Sequence, residues 1–298
     1  MLLFVVGPTA VGKSEAALDL AEEIGAEIIN ADALQLYRGM DIGTAKLPLQ
    51  ERRGIAHHMI DVLDIIEEAS VAVYQSKVHE LIARKGNTPI IVVGGSGLYI
   101  ASLLQELRFP ENDPEIRAVI EARAERIGAA AIHQELSEKD PMAALAILPG
   151  NVRRVVRAFE VIEITGEPFT ATLPRDGATP YPQAIRLGLL SPRELLDARI
   201  ALRVEEMWEN GFEQEVAELE QRGLRDGKTA RAALGYAQIL DAKDRGESSE
   251  YAKASTIIST RKFARRQESW FRRDEKIEWI PAGTHMEWWA SRSTLGEM

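Results

Sequence analysis

The segment at residues 7–14 constrains the fold most, because it reads G-P-T-A-V-G-K-S and matches the pattern G-x-x-x-x-G-K-S. A continuous apolar run at residues 2–6 precedes it, which is typical of a strand buried on both faces. Apolar residues at helical spacing follow it, from Ala16 to Ile24. A strand–loop–helix unit of this kind binds phosphate oxygens through backbone N–H groups. The segment therefore predicts an α/β fold with a P-loop NTPase-like parallel-sheet core.

The individual residues of this loop have separate predicted tasks. The ammonium group of Lys13 is suited to the terminal phosphates, and the hydroxyl group of Ser14 can bind Mg²⁺. The motif requires a chain of phosphates but does not require that the chain belong to ATP. The predicted phosphate-binding residues are Gly7, Pro8, Thr9, Ala10, Val11, Gly12, Lys13 and Ser14.

Two further predicted strands end in residues that bear on function. Residues 27–30 form a short strand, and Asp32 follows at the edge of the sheet where ligands bind in parallel α/β folds. Asp32 can be a base, a metal ligand or an ordinary turn residue. The strand at residues 89–93 leads into Gly94, Gly95 and Ser96, where P-loop ATPases usually carry an aspartate for Mg²⁺. This absence argues against a hydrolytic motor.

An all-helical insertion domain is predicted at residues 113–183, between core segments 1–112 and 184–298. It begins with the helix-start signal Asp113-Pro114-Glu115, and no β-rich run interrupts its helices. Its last helix carries three arginines at spacings of three and four, which places them on one face. That face can be solvated and paired with nearby glutamates, or it can contact an anion or a nucleic acid. The three arginines are Arg153, Arg154 and Arg157.

A predicted helix at residues 256–273 is strongly basic, whereas the whole chain has a net charge of −10. Its six cations are accompanied by a single acid, Glu268, and aromatic residues lie between them. Apolar members can pack inward while the cations face phosphates, so this helix favours an RNA or DNA contact over a solvated surface. The cations are Arg261, Lys262, Arg265, Arg266, Arg272 and Arg273.

The absence of two features restricts the class of protein. The sequence has no cysteine, which excludes disulfides, thiolate metal sites and thiol nucleophiles. No apolar run approaches the roughly 20 residues of a membrane span, and no signal peptide precedes the first strand. We therefore expect a cytoplasmic enzyme without a membrane partner. A monomer that needs no protein partner is the simplest expectation.

Several separated stretches together resemble one family, the bacterial tRNA dimethylallyltransferases. The resemblance runs from about residue 2 to residue 281. The stretches, in family order, are GPTAVGKS, NADALQLYRGMDIGTAK, HHMID, IIVVGGSGLY, NVRRVVRAFEV and TRKFARRQESWFRR. It implies transfer of a dimethylallyl group from dimethylallyl diphosphate to N6 of the adenosine 3′-adjacent to the anticodon. Diphosphate is released, Mg²⁺ is required, and the P-loop binds the leaving group.

The resemblance also assigns roles to single residues. Asp32 matches the base that accepts the N6 proton, Thr9 lies near the diphosphate, and Ser96 stands where the family has a threonine near the reacting groups. The target base would be flipped into a channel, and the insertion would clamp the anticodon stem. Residues that match tRNA-contacting stretches are Asp32, Ala33, Leu34, Gln35, Ser96, Arg117, Arg153, Arg154, Arg157, Arg261, Arg265, Arg266, Gln267 and Arg272.

The chain departs from the family pattern at two places. Ala33 and Leu34 stand where many members have serine and methionine. Ala237 stands where many members have an arginine or lysine that helps to neutralise the diphosphate. We expect Arg231 or Arg261 to compensate, or diphosphate binding to be weaker.

Two other functions use the same motifs. A small-molecule or nucleotide kinase would bind ATP at the P-loop, use Asp32 as base or Mg²⁺ ligand, and use the insertion as a lid. A non-catalytic RNA-binding NTP sensor would not need a buried base. The basic helix argues against the kinase, because a kinase of a small metabolite does not require it.

Overall fold

One parallel sheet organises the larger part of the fold. The computed structural model describes residues 1–105, 107, 109–110, 112–172 and 179–295. The strands within these residues are β1 (Leu2–Val6), β2 (Glu27–Asn30), β3 (His57–His58), β4 (Ile90–Gly94), β5 (Ile185–Leu190) and β6 (Glu278–Pro281). Their order across the sheet is β3-β2-β4-β1-β5-β6, and each neighbouring pair is parallel. The predicted α/β class with a P-loop NTPase-like core is confirmed.

Helices make up most of the rest of the described chain. The helices that precede or follow residues 105–190 are α1 (Lys13–Ile24), α2 (Val71–Lys85), α3 (Gly97–Leu104), α8 (Arg193–Glu209), α9 (Phe212–Gln221), α10 (Tyr236–Arg245), α11 (Ser249–Phe271) and α12 (His285–Leu295). Between α3 and α8 lie α4 (Pro114–Ile127), α5 (Ala129–Lys139), α6 (Pro141–Ala146) and α7 (Val152–Thr165).

The central strand, β1, lies between β4 and β5. The side chains of Leu3, Phe4 and Val5 have no solvent-exposed surface, as expected for a strand covered on both faces. Phe4 is in register with Val92 of β4. Because all strands are parallel, their carboxyl ends meet at one edge, and the loops after β1, β2 and β4 begin there.

The chain divides into two compact units. One comprises Met1–Leu103 together with Tyr181–Met298, and the other is Leu104–Pro180. The second unit contains α4, α5, α6 and α7, which share a core that includes Ile132, Leu136 and Phe159. The predicted boundaries at residues 113 and 183 both fall later in the chain than these.

No helix in the described part of the chain is both long enough and apolar enough to cross a lipid bilayer.

Candidate active site

The loop after β1 has the backbone of a phosphate cradle. Gly7, Ala10 and Gly12 have positive φ angles of 145°, 64° and 101°, which turn the chain tightly before α1 begins at Lys13. A Cβ atom on Gly7 would lie 2.9 Å from the Leu189 carbonyl oxygen, so the loop packs directly against β5. The N-terminal N–H groups of α1 and its positive dipole end therefore border the loop.

Lys13 is the cation of this loop. Its Nζ atom donates to the Pro8 carbonyl oxygen at 2.8 Å. Burial, opposed by the charge of Asp32 and aided by that of Arg203, lowers the pKa of Lys13 to about 8. The ammonium group is charged at neutral pH and loses its proton just above it.

Asp32 follows β2 at the same edge of the sheet. The Asn30 side chain holds its backbone: Nδ2 donates to the Asp32 carbonyl oxygen at 3.0 Å, and Oδ1 accepts the Asp32 N–H at 3.0 Å. The carboxylate accepts the Leu34 N–H at 3.0 Å. Burial raises the pKa of Asp32, against the opposing effects of that N–H and of Lys13. A carboxylate held in place with a raised pKa is suited to accept a proton.

Ser96 connects the ends of β4 and β2. Its Oγ atom accepts the Ala33 N–H at 3.1 Å, and its own N–H donates to the Ala31 carbonyl oxygen at 3.3 Å. A Cβ atom on Gly94 would lie 2.2 Å from that same carbonyl oxygen, so only glycine permits this approach. The Ser96 hydroxyl keeps its own proton to donate to a ligand.

A pocket borders the P-loop and the end of β2, and Lys13, Ser14 and Ser96 are not among the residues that line it. Thr9 and Asp32 both line it, so the structure brings the P-loop and the predicted base to one site. The space encloses about 630 Å³, part of which is open to solvent. Its apolar walls come mainly from α8, α9 and α11, and the residues are Leu34, Ile200, Val204, Met207, Phe212, Leu234 and Phe263. A ligand with an anionic end and a short hydrocarbon end matches this lining.

The sequence prediction missed Arg203, which also lines the pocket. The half-buried guanidinium group lies with its Nη1 atom 3.5 Å from Thr9 Oγ1. Burial lowers its pKa from the usual arginine value. One signal in the sequence identifies it: Arg203 falls on the buried stripe of α8, between Ile200 and Val204. An arginine on a buried stripe usually has a partner, and this is the signal that the sequence offers.

Comparisons with known proteins agree with this geometry. The family model for IPP transferase matches residues 35–274. The tRNA dimethylallyltransferase of Mycolicibacterium smegmatis is 54% identical over 281 residues, covering 93% of this chain and 92% of that protein. The enzyme of the same name from Thermobifida fusca is 54% identical over 288 residues, with 94% and 89% covered. This chain belongs to the IPP transferase family.

Solved structures of family members have the same fold. A full-length tRNA isopentenylpyrophosphate transferase from Bacillus halodurans superposes with a TM-score of 0.72 at 36% identity, covering 99% of this chain and 96% of that one. A eukaryotic dimethylallyltransferase, described as acting on tRNA, gives a TM-score of 0.77 at 26% identity, with 99% and 77% covered. The resemblance stated from the sequence is thereby confirmed.

The residues of the predicted basic stretch differ in their exposure to solvent. Lys262, Arg265, Arg266, Arg272 and Arg273 are exposed. Arg272 pairs with Glu268 at 2.9 Å and lies over the Trp279 ring. Two other predicted tRNA contacts of this stretch are engaged within the protein: Arg261 Nη2 donates to the Asp197 carbonyl oxygen at 3.1 Å, and Gln267 is buried.

The segment that follows Asp32 borders the pocket. Ala33, Leu34 and Gln35 are each half-buried, and Leu34 lines the apolar wall. The Gln35 Nε2 atom donates to the Thr44 carbonyl oxygen at 3.0 Å, which ties this segment to the loop that ends at Lys46.

In the helical unit, the three arginines of α7 differ in environment. Arg153 and Arg154 are exposed. Arg157 is half-buried, and its Nη1 atom donates to the fully buried Glu160 carboxylate at 2.7 Å. Arg117 donates to the same carboxylate at 2.7 Å. Arg117 and Arg157 thus neutralise a buried charge within the unit.

The two arginines expected to compensate for Ala237 are engaged elsewhere. Arg231 is exposed, and its Nη1 atom donates to the Arg225 carbonyl oxygen at 3.1 Å. Arg261 is bound to Asp197 as described above. Arg203 is the guanidinium group that faces Thr9, so it is the better candidate for this role.

Proposed function

We propose that this IPP transferase is a tRNA dimethylallyltransferase. It transfers the dimethylallyl group of dimethylallyl diphosphate to N6 of the adenosine 3′-adjacent to the anticodon and releases diphosphate. The observation that carries the proposal is the composition of the single pocket described above. A P-loop residue, a basic side chain and a half-buried carboxylate (Thr9, Arg203 and Asp32) share it with an apolar wall that suits a hydrocarbon group.

The proposed reaction is one displacement. The N6 atom forms a bond to C1 of the prenyl group, the C1–O bond breaks with its electron pair on diphosphate, and the N6 proton passes to Asp32. The P-loop N–H groups, Lys13 and Arg203 stabilise the charge that develops on the leaving group. Ser96 and Thr9 offer hydroxyl groups beside Asp32 and the diphosphate end.

Mg²⁺ is part of the proposal. Among the described residues, no group of three or more His, Asp or Glu side chains is arranged to hold a metal ion. Mg²⁺ is commonly held by one or two protein groups, substrate phosphates and water, and the exposed Ser14 at the first turn of α1 fits that pattern. When bound, the ion would neutralise charge on the diphosphate oxygens.

RNA binding is assigned to two exposed basic surfaces. One consists of Arg265 and Arg266 of α11 together with Arg272, which follows that helix. The other is on α7 of the helical unit and contains Arg153 and Arg154. Their cations would neutralise phosphates of the anticodon stem-loop. The target adenine must leave the stack to bring N6 to Asp32. We propose that the enzyme works in the cytoplasm as a monomer.

The decisive experiment is mass spectrometry of an anticodon stem-loop RNA incubated with protein, Mg²⁺ and dimethylallyl diphosphate. We expect a gain of one dimethylallyl unit on the target adenine and its loss in the Asp32→Asn variant, which keeps the side-chain shape. ATP consumption with a small alcohol, without modified RNA, would identify a kinase instead. RNA binding that persists without any reaction would indicate a sensor.

A further inference from the structure

Gln267 lies on α11, the helix proposed to bind RNA, but its side chain is directed into the protein. Its neighbours in the sequence, Arg265 and Arg266, are exposed, whereas Gln267 is 5% exposed. Its Oε1 atom accepts the Thr9 N–H of the P-loop at 2.8 Å. Its Nε2 atom donates to the Gly95 carbonyl oxygen at 2.9 Å. A single side-chain amide therefore connects α11 to two loops of the active site.

The space for this amide depends on a glycine. A Cβ atom on Gly95 would lie 2.2 Å from Gln267 Nε2, so any larger residue there displaces the side chain. Gly95 precedes Ser96, whose Oγ atom accepts the N–H of Ala33, the residue after Asp32. The connection from α11 thus reaches the diphosphate loop on one side and the base on the other.

We propose that Gln267 is a positioning residue that couples RNA binding on α11 to diphosphate binding at the P-loop. RNA phosphates that fix Arg265 and Arg266 also fix α11, and Gln267 then holds the Thr9 N–H and the Gly95 loop in one arrangement. A diphosphate that stabilises the P-loop in that arrangement stabilises the position of α11 in return. Coupling between two binding equilibria is necessarily reciprocal. The identity of the two ligands rests on the proposed function.

The test measures both equilibria by titration with inorganic diphosphate and Mg²⁺ and with an anticodon stem-loop RNA, each alone and in the presence of the other. For the unmodified protein we expect each ligand to tighten the other by at least about fivefold, the lower end of typical coupling. Gln267→Met keeps the side-chain volume and removes both hydrogen bonds. We expect it to bind diphosphate about tenfold more weakly, to bind RNA alone within twofold of the original, and to show no coupling.

Two further variants separate coupling from general damage. Gly95→Ala displaces Gln267 without changing it and should reproduce the loss of coupling. Ser102→Ala removes a comparable buried bond, from Oγ to the Tyr99 carbonyl oxygen at 2.7 Å, and should lower Tm without changing either affinity. Arg266→Ala should weaken RNA binding while diphosphate binding alone stays as it was.

Three results would overturn the proposal. The first is an absence of coupling in the unmodified protein. The second is unchanged coupling in both Gln267→Met and Gly95→Ala. The third is a loss of RNA affinity in Gln267→Met without a loss of diphosphate affinity, which would make Gln267 an RNA contact. Failure of the proposed transferase function gives a different result from failure of the coupling. In that case the RNA stays unmodified in the mass spectrum while the coupled binding persists.

Discussion

Lys13 combines a proposed phosphate-binding role with a lowered pKa. Its pKa of about 8 arises because burial disfavours the charged form more than Asp32 favours it. An arginine at the same place would stay charged at all relevant pH values. The residue thus makes diphosphate capture sensitive to pH in the mildly alkaline range.

We predict that kcat/KM for dimethylallyl diphosphate falls as pH rises above about 8, because the free enzyme loses the Lys13 charge there. Lys13→Arg should remove this alkaline fall between pH 7 and pH 9, although its overall rate will be lower. The pH dependence of inorganic diphosphate binding gives a second check. Asp32→Asn should shift its midpoint downward, since the Asp32 charge raises the pKa of Lys13. If kcat/KM of Lys13→Arg still falls above about pH 8, a group other than Lys13 causes the pH dependence.

Arg203 is the residue that the sequence prediction overlooked. We predict that Arg203→Ala lowers kcat/KM for dimethylallyl diphosphate by about 10² to 10³, the usual effect of removing one group that stabilises developing charge. Arg199→Ala is the matched control, because Arg199 is exposed one turn earlier on α8. Steady-state kinetics with saturating RNA separates the two. Equal effects of both variants would mean that Arg203 acts only through net charge.

At the scale of elements, α7 shows how one helix can carry both a structural and a surface role. Glu160 is fully buried, and burial alone would raise its pKa, but the bonds from Arg157 and Arg117 lower it below the usual value. Its Oε1 atom also accepts the Asp113 N–H at 3.0 Å, at the start of α4. The carboxylate therefore joins α7 to α4, while Arg153 and Arg154 remain exposed.

We predict that Glu160→Ala reduces the free energy of unfolding of the helical unit by about 3 kcal/mol, because two guanidinium groups lose their partner. Glu163→Ala on the same helix should cost less than about 1 kcal/mol, since its bond to Lys139 is exposed. The folded pKa of Glu160 is lowered, so its contribution is present above the unfolded value near 4.5 and is lost as pH falls. Urea unfolding at pH 7 and pH 4 measures both effects. Equal costs for the two variants would contradict this account.

The elements differ in how far they could be predicted from sequence. The sequence predicts strands β1 and β4 to within one residue, because a short continuous apolar run between turn residues is typical of a buried strand. Helix α11 begins at Ser249, earlier than the predicted residue 256, because the Ser248 side chain caps it by accepting the Tyr251 N–H. A polar first turn without apolar periodicity concealed that start.

For the whole molecule, the sequence predicted the site better than the connections between its parts. Asp32, Ser96 and the P-loop follow from strand ends in a parallel sheet. Gln267 could not be predicted as a bridge, because a glutamine among arginines on a basic helix is typical of an exposed residue. Its contact with Thr9 spans almost the entire chain, and such a pairing becomes visible only in the folded molecule.

The strand order also has a consequence for synthesis on the ribosome. Strand β1 pairs with β5, which is translated only after the whole helical unit, and Gly7 packs against Leu189 of that late strand. The P-loop therefore emerges first but gains its neighbouring wall more than half-way through translation, and it gains Gln267 later still. Domains generally fold as units while the chain grows, so the helical unit can fold before the sheet is complete. A nascent chain interrupted before α11 would carry the phosphate-binding motif without the hydrogen bond between the Thr9 N–H and Gln267.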